Sequence, residues 1–233
     1  MAREVSLFDV DDATGFSSVA DMTVSRVPPK DVNEFCRRWH YTSHGGATSW
    51  SYGLWDGVVL VGVCSYNMPT MDACSCVFGA DEWRRVLHMG RLVCADEAPR
   101  NSESRLIAGS LRHLSIDLPD IRAVLTYAAQ SQGHVGYVYQ ATNAIYTGTG
   151  GHSVIYLDDR GRQRSDYQRG MVLNGVRLKG QISAAQAIQL GWTRSAGPPK
   201  HRYVYLVGNR AERRYWRSRL LLPVLPYPKE VQS

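Results

Sequence analysis

Residues 127–148, YAAQSQGHVGYVYQATNAIYTG, combine tyrosines, carboxamides and glycines without a single Lys, Arg, Asp or Glu. Phenol rings can stack on a flat ring, and carboxamides can pair with its polar edge, so the segment suits a flat, neutral, hydrogen-bonding ligand. The substrate-binding candidates are Tyr127, Gln130, His134, Tyr137, Gln140 and Asn143. The alternative is a packed corner rich in turns, although so many amides would need partners if they were buried.

Residues 99–107, PRNSESRLI, are typical of a helix beginning, with Ser102 as the predicted N-cap and Glu103 in the first turn. Backbone N–H groups at a helix start bind anions. A short loop and helix start with small residues and arginines resembles the way in which GNAT-type acetyltransferases hold the pyrophosphate of an acyl-CoA. The cofactor-binding candidates are Asn101, Ser102, Ser104 and Arg105. The usual Gly-rich form of that loop is absent, and an ordinary capped helix is the alternative.

Residues 39–46, WHYTSHGG, place a histidine beside hydroxyl groups at the expected end of a helix. Because histidine is the commonest general base near neutral pH, His40 is a catalytic candidate. His44 is interpreted as a solvated turn residue.

Positive charge is concentrated late in the chain, although the net charge is only +6. Residues 194–219 hold seven Arg and one Lys against Glu212 alone, whereas the first 21 residues hold one Arg against five acids. Such asymmetry favours a polyanion, most simply double-stranded DNA. The DNA-binding candidates are Arg202, Arg210, Arg213, Arg214 and Arg217. A solvated basic surface is the alternative.

Composition predicts a folded, unexported protein of the cytoplasm. Hydrophobic residues make up 44% and charged residues 21% of the 233 residues, no apolar run is long enough to span a membrane, and the acidic start is no signal peptide. Five cysteines, an odd number, favour a reducing compartment. The Cys74-Ser75-Cys76 pair favours buried thiols over a zinc site, so any metal is left open.

The periodicity of apolar residues predicts a mixed α/β fold. Strands alternate with helices up to about residue 150, and the Asp56-Gly57 turn joins two strands as a hairpin. We expect a flexible N-terminus at 1–18, a core at 19–150, and a basic C-terminal extension at 151–233 that packs on the core.

Several stretches, in the same order, resemble the Mom-type phage DNA-modification proteins. They are the segment YAAQSQGHVGYVYQATNAIYTGTG, WHYTS, GRLV, PRNSESRLI, KHRYVYLVG and PYPK, which together span about residues 35–229. The resemblance implies a GNAT-like α/β fold with a mostly antiparallel sheet flanked by helices. It also implies an enzyme of bacteriophage that adds a small acyl-derived group to the exocyclic N6 of adenine in DNA, protecting the DNA from restriction. Acetyl-CoA or a related acyl donor follows from the fold analogy. The site residues carried over are His40, Tyr41, Arg91, Ser104, Tyr139 and Tyr146.

One position departs from the family pattern that the resemblance implies. An Asp often follows the Tyr-Ala pair at the end of the strand, where this chain has Ala129. Two alternatives therefore stay open: an N-acyltransferase that acts on another amine, and a DNA-binding relative without catalysis.

Overall fold

The chain alternates between strands and helices where its apolar periodicity changes. The structure is a computed structural model that describes residues 15–39, 49–129, 135–150, 154–164, 167–197 and 199–229, with the backbone alone at 167–170 and 179–181. Its strands are β1 (Thr23–Arg26), β2 (Trp50–Asp56), β3 (Val59–Asn67), β4 (Val86–Cys94), β5 (Ala123–Ala129), β6 (Ile145–Gly150), β7 (Val154–Leu157), β8 (Gln163–Arg164), β9 (Tyr167–Leu173), β10 (Val176–Gln181), β11 (Thr193–Ala196) and β12 (Lys200–Leu206). Its helices are α1 (Pro29–Trp39), α2 (Met71–Phe78), a 3-10 helix (Ala80–Arg85), α3 (Ser102–Asp117), α4 (Tyr137–Ala141), α5 (Ala184–Gln189) and α6 (Arg210–Ser218).

A seven-stranded sheet runs in the order β1-β2-β3-β4-β5-β12-β6. The first four strands pair antiparallel, and the predicted hairpin of β2 and β3 turns at Asp56-Gly57, where the φ of Gly57 is +57°. β4 and β5 are parallel neighbours, paired at Val86–His88 and Ala123–Leu125. The predicted fold class, a mixed and mostly antiparallel sheet flanked by helices, is confirmed.

The two faces of the sheet carry different helices, because successive side chains of a strand point to opposite faces. On one face, α1 packs on Val63 and Val93, and Phe78 of α2 and Trp216 of α6 pack on Leu125. On the other face, Ser110 of α3 meets Tyr66 through a hydrogen bond of 2.6 Å between buried hydroxyl groups. The start of α4 also lies on this second face, where Tyr139 contacts Tyr203.

The chain divides into two units. The first contains Met1–Tyr127, Gly136–Gly148 and Arg202–Ser233, and it includes most of the seven-stranded sheet. The second contains Ala128–Val135 and Thr149–His201, with its own core of Tyr156, Leu178, Ile182, Ala187 and Trp192. The predicted extension, 151–233, is thus divided between the two units. Its last part belongs to the first unit because β12 is a strand of the main sheet and α6 packs through Trp216.

Other expectations concern single positions. Of the predicted flexible N-terminus, 1–14 lies outside the described residues, and the N–H of Ser17 donates to a carboxylate oxygen of Asp56 at 2.7 Å. No helix in the described parts of the chain is long and apolar enough to cross a membrane. Within the same parts, no group of three or more His, Cys, Asp or Glu could hold a metal ion, and burial raises the pKa of Cys74.

Candidate functional site

The divergence of β4 and β5 marks one end of the candidate site. Their described pairing covers three residues of each strand. Beyond the paired residues, β4 continues through Gly90 and Arg91, and β5 continues through Thr126 and Tyr127. Separated strand ends leave backbone groups and side chains available to a ligand. α3 begins shortly after β4, so its N-terminus follows the end that diverges.

The beginning of α3 differs in detail from the sequence prediction. The N-cap is Asn101, at a left-handed φ of +73°, and not Ser102, which is the first helical residue. The hydroxyl of Ser102 is buried and donates to the carbonyl of Pro99 at 2.6 Å, so it is already occupied. The side chain of Asn101 makes no capping hydrogen bond to the first turn of α3. The backbone N–H of Ser102 also donates to the carbonyl of Pro99, at 3.1 Å, so the N–H groups of Glu103 and Ser104 are the groups of this turn suited to an anion.

A cavity of about 370 Å³ opens beside this helix start. Its lining includes three of the four cofactor-binding candidates, Asn101, Ser104 and Arg105, and it continues to Thr142 and Asn143 after α4. Arg105 donates to the carbonyl of Met22 at 3.0 Å, while its buried Nε has no hydrogen-bond partner in the described part of the chain. A helix start, hydroxyl and guanidinium together are chemically suited to a phosphate group.

The neutral segment forms an aromatic cluster around Tyr203 of β12, which is fully buried. The rings of Tyr139 and Tyr146 lie 5.4 and 5.2 Å from that of Tyr203. The carboxamide of Gln140 donates to the Tyr203 hydroxyl at 3.2 Å and to the carbonyl of Pro228 at 3.3 Å. Burial raises the pKa of Tyr146, an effect that nearby Arg202 opposes.

The packed-corner alternative therefore describes part of the segment. Tyr139, Gln140 and Tyr146 each contact Tyr203 within the fold. By contrast, the side chain of Tyr137 is 58% exposed, and Asn143 is exposed on the wall of the cavity beside the start of α3. Asn143 has a φ of +61°, which an asparagine tolerates better than most residues. Asn143 lines the same cavity as the start of α3, so the neutral segment reaches that cavity at Asn143.

Polar residues also gather on the opposite face of the sheet, where α1 and α2 pack. Tyr127 is half-buried against His88 of β4, with ring centroids 5.8 Å apart, and burial raises the pKa of its phenol. Arg91 lies on the same face, and its guanidinium donates to the carbonyl of Gly90 at 2.7 Å. Its charge partly offsets the rise that burial causes in the pKa of Cys36 on α1. This face thus brings a guanidinium, an imidazole and a phenol toward the divergent strands.

Arg202 does not lie with the other four DNA-binding candidates. It is in β12, where its Nε donates to the Thr147 hydroxyl at 3.0 Å and its Nη2 to the Thr147 carbonyl at 3.1 Å. Its charge acts on Tyr127 and Tyr146, in each case opposing the rise in pKa that burial causes. The remaining four candidates line a second cavity beside α6 and are Arg210, Arg213, Arg214 and Arg217.

Some candidates cannot be placed, and some residues of the site were missed by the sequence reasoning. His40, Tyr41, Gln130 and His134 lie outside the described residues. The residues missed were His88, Tyr203 and Arg112, because they sit in ordinary strand or helix patterns. For Arg112, the one available signal was its spacing of seven residues from Arg105, which places both on one side of α3.

The geometry defines a mixed α/β protein in which two parallel strands, β4 and β5, diverge beside a helix start that is suited to binding an anion. The chain belongs to the Mom protein family, whose model matches residues 21–229. The methylcarbamoylase mom of Escherichia phage Mu is 27% identical over 179 residues, which cover 76% of this chain and 70% of that relative.

Solved structures with a similar course of the chain include acetyltransferases. The spermidine/spermine N-acetyltransferase SpeG from Vibrio cholerae is 9% identical, covers 87% of this chain and 99% of its own, and has a TM-score of 0.47. Arabidopsis thaliana NAA60, solved in complex with acetyl-CoA, is 11% identical, covers 81% of this chain and 99% of its own, and has a TM-score of 0.44.

Proposed function

We propose that this protein transfers a small acyl-derived group, of the methylcarbamoyl type, to the exocyclic amine of a base in DNA, with adenine N6 as the favoured acceptor. The observation that carries the proposal is membership of the Mom family across residues 21–229. The phage Mu relative is named a methylcarbamoylase, which supports the kind of group transferred. The biological role that follows is protection of phage DNA against restriction.

The donor proposed is an acyl-CoA or related thioester, which supplies an activated acyl carbon. The uncapped first turn of α3 and the lining of its cavity support this, since Ser104 and Arg105 lie where phosphates would be held. The gap between β4 and β5 would then take the acyl end. The buried Ser102 hydroxyl supports the turn from within through Pro99.

The acceptor proposed is a base rotated out of the duplex, because an exocyclic amine inside the stack cannot be reached. The face that carries Arg91, His88 and Tyr127 supports acceptor binding, with Tyr127 available for ring contact. In the transfer, the amine nitrogen bonds to the acyl carbon, the bond from that carbon to the donor sulfur breaks, the amine proton passes to a base, and the thiol is released. The amine is a weak nucleophile, so positioning must supply much of the rate. His40 remains the proposed base. Among the residues that the structure describes, His88 supplies an imidazole on the face that carries Tyr127.

Nucleoside mass spectrometry tests the proposal directly. DNA from bacteria that express the full chain is digested to nucleosides, and we expect deoxyadenosine of increased mass. Arg91→Gln should abolish the new nucleoside, because Arg91 is half-buried near the strand gap. Arg84→Gln removes the same charge from an exposed residue that stacks on Trp83 and should leave the modification unchanged. Unmodified DNA in cells that contain folded wild-type protein would overturn the transferase proposal.

A second candidate, DNA binding without catalysis, is favoured by Ala129 at the end of β5, where the family pattern has a carboxylate. This candidate expects salt-sensitive DNA affinity and no new nucleoside. A modified base other than adenine would retain the transferase and replace the acceptor.

A further inference from the structure

The larger described cavity, of about 690 Å³, lies between the second half of α3 and α6. Five arginines contribute to its lining. Four come from α6 and one, Arg112, from α3. Residues 210, 213, 214 and 217 recur at intervals of three and four, so they form one stripe along the helix. Two separate elements thus direct positive charge at one concavity.

This charge has no acidic counterpart in the described structure. No Asp or Glu lines the cavity, and none of its five arginines takes part in an ion pair within the described ranges. Glu212, the acid of α6, pairs with Arg122 at 3.4 Å, and Glu82 pairs with Arg219, the residue that follows α6, at 3.6 Å. Like charges held together repel one another, so an anionic ligand would stabilise the arrangement.

The cavity is built for phosphate rather than for bases. Its floor is aliphatic, from Leu111, Ile145 and Val207. The one aromatic ring in the lining, Tyr205, is buried, and its hydroxyl is 2.5 Å from that of Thr142. Without an exposed ring there is no platform on which a base can stack. Guanidinium groups, by contrast, match the geometry of phosphate oxygens.

The position of Arg112 separates this cavity from the proposed donor phosphate site. The two cavities share Ala108, Leu111, Thr142 and Asn143, and together they follow one side of α3. From Asn101 to Arg112 the helix advances about 16 Å, at roughly 1.5 Å per residue. A phosphate held at the helix start is therefore too far away to be held by the arginines as well.

The length of the stripe identifies the ligand class. From Arg210 to Arg217 it advances about 10 Å along α6. One strand of duplex DNA carries a phosphate about every 3.4 Å of its axis and winds around that axis, so adjacent phosphates are farther apart than this and the stripe is long enough for at least two of them. A linear array of this kind matches a polymer backbone better than a compact polyphosphate.

We propose that this arginine cavity holds consecutive backbone phosphates of one strand of the DNA duplex, without reading its sequence. The inference rests on the proposed function for the identity of the polyanion. It adds Arg112 to the interface and removes Arg202 from it. The duplex is held here by its backbone, at a site separate from the one that receives the acceptor base.

Fluorescence anisotropy with a dye-labelled duplex of about 20 base pairs of mixed sequence, titrated with the full chain at 50–200 mM KCl, tests the inference. The double variant Arg213→Gln/Arg217→Gln should weaken binding at least about tenfold and lower the slope of log Kd against log salt by about 2. Arg112→Gln alone should lower the slope by about 1. The matched control, Arg37→Gln/Arg84→Gln, removes equal charge elsewhere and should retain wild-type affinity and slope.

Equal losses in the control and in the cavity variant would overturn the inference, as would wild-type binding by the cavity variant. Melting curves show that each variant is folded, and a conservative Arg213→Lys/Arg217→Lys variant should recover most of the salt slope. The outcome is separable from the proposed function. DNA binding lost with the cavity in a protein that modifies no base would retain the cavity and reject the transferase. If a cavity variant binds DNA normally and still modifies it, the transferase proposal would be retained and the proposal for the cavity rejected.

Discussion

Replacement of Arg202 by Gln should lower stability and leave the electrostatics of DNA binding unchanged. The guanidinium donates to the hydroxyl and to the carbonyl of Thr147, a residue that is 1% exposed. Each such hydrogen bond contributes about 1 kcal/mol net, so losing both should cost about 2 kcal/mol. For a chain of this size, that loss lowers the melting temperature by about 4–8 °C.

The matched variant is Arg210→Gln, at the first residue of α6. It removes the same charge from the arginine cavity, where the guanidinium has no ion-pair partner among the described residues. We expect Arg210→Gln to retain the melting temperature and to lower the slope of log Kd against log salt by about 0.9. Arg202→Gln should instead lower the melting temperature and leave the slope of log Kd against log salt unchanged.

Thermal melting by circular dichroism and salt-dependent anisotropy measure the two effects on the same preparations. Arg202→Lys adds a further control, because it keeps the charge but loses the planar fork that reaches Thr147. It should melt nearly as early as Arg202→Gln. If Arg202→Gln lowers the salt slope as much as Arg210→Gln and melts like the wild type, the structural role assigned to Arg202 is refuted.

Three further perturbations test the site and its scaffold. Tyr139→Ala removes a ring packed on Tyr203 and should abolish DNA modification, whereas Tyr139→Phe should retain it, and full modification by the alanine variant, measured by nucleoside mass spectrometry, would reject a role of the aromatic cluster in the site. Gly109→Ala would place a methyl group 2.5–3.0 Å from the side-chain atoms of Val24 in β1, so urea unfolding should show a loss of about 1–3 kcal/mol, whereas an unchanged midpoint would contradict the close packing of α3. Burial raises the pKa of Asp158, but hydrogen bonds from the backbone and side chain of Arg162 outweigh it, and the pKa lies below the ordinary 3.8. Asp158→Asn should therefore destabilise the second unit above pH 3.8, and the difference in melting temperature should vanish as the pH falls through the lowered pKa, where a constant difference would contradict the assignment.

Local patterns sufficed for the elements of the main sheet. The Asp56-Gly57 turn and the helix beginning at residues 99–107 depend on signals that act over a few residues, and both were confirmed. The N-cap of α3 was assigned one residue too late, because Ser102 places its hydroxyl on Pro99 and leaves the cap to a left-handed Asn101. Helix ends are decided by such local competition for hydrogen bonds.

Patterns could not show which chemical groups meet. Tyr203 is central to the aromatic cluster although it is separated from Tyr139 by more than sixty residues of sequence. Arg112 faces the arginines of α6 from another helix, and the basic stretch that predicted DNA binding gave no reason to separate Arg202 from its neighbours. Strand alternation puts Arg202 and Tyr203 on opposite faces of the sheet, a distinction that needs the strand's partners to be known.

The sequence by itself determined the mixed α/β class, the family, and the kinds of group available: carboxamides, phenols and arginines. Its short-range signals are sufficient for these because capping, turns and periodicity depend on neighbours along the chain. The tertiary structure alone decided that β12 enters the main sheet between β5 and β6, which divides the predicted extension between two units. It also decided which arginines are held by the fold and which line an open cavity, because Arg202 is fixed by hydrogen bonds to Thr147, which is distant in sequence, and Arg112 meets the arginines of α6 only when the two helices pack.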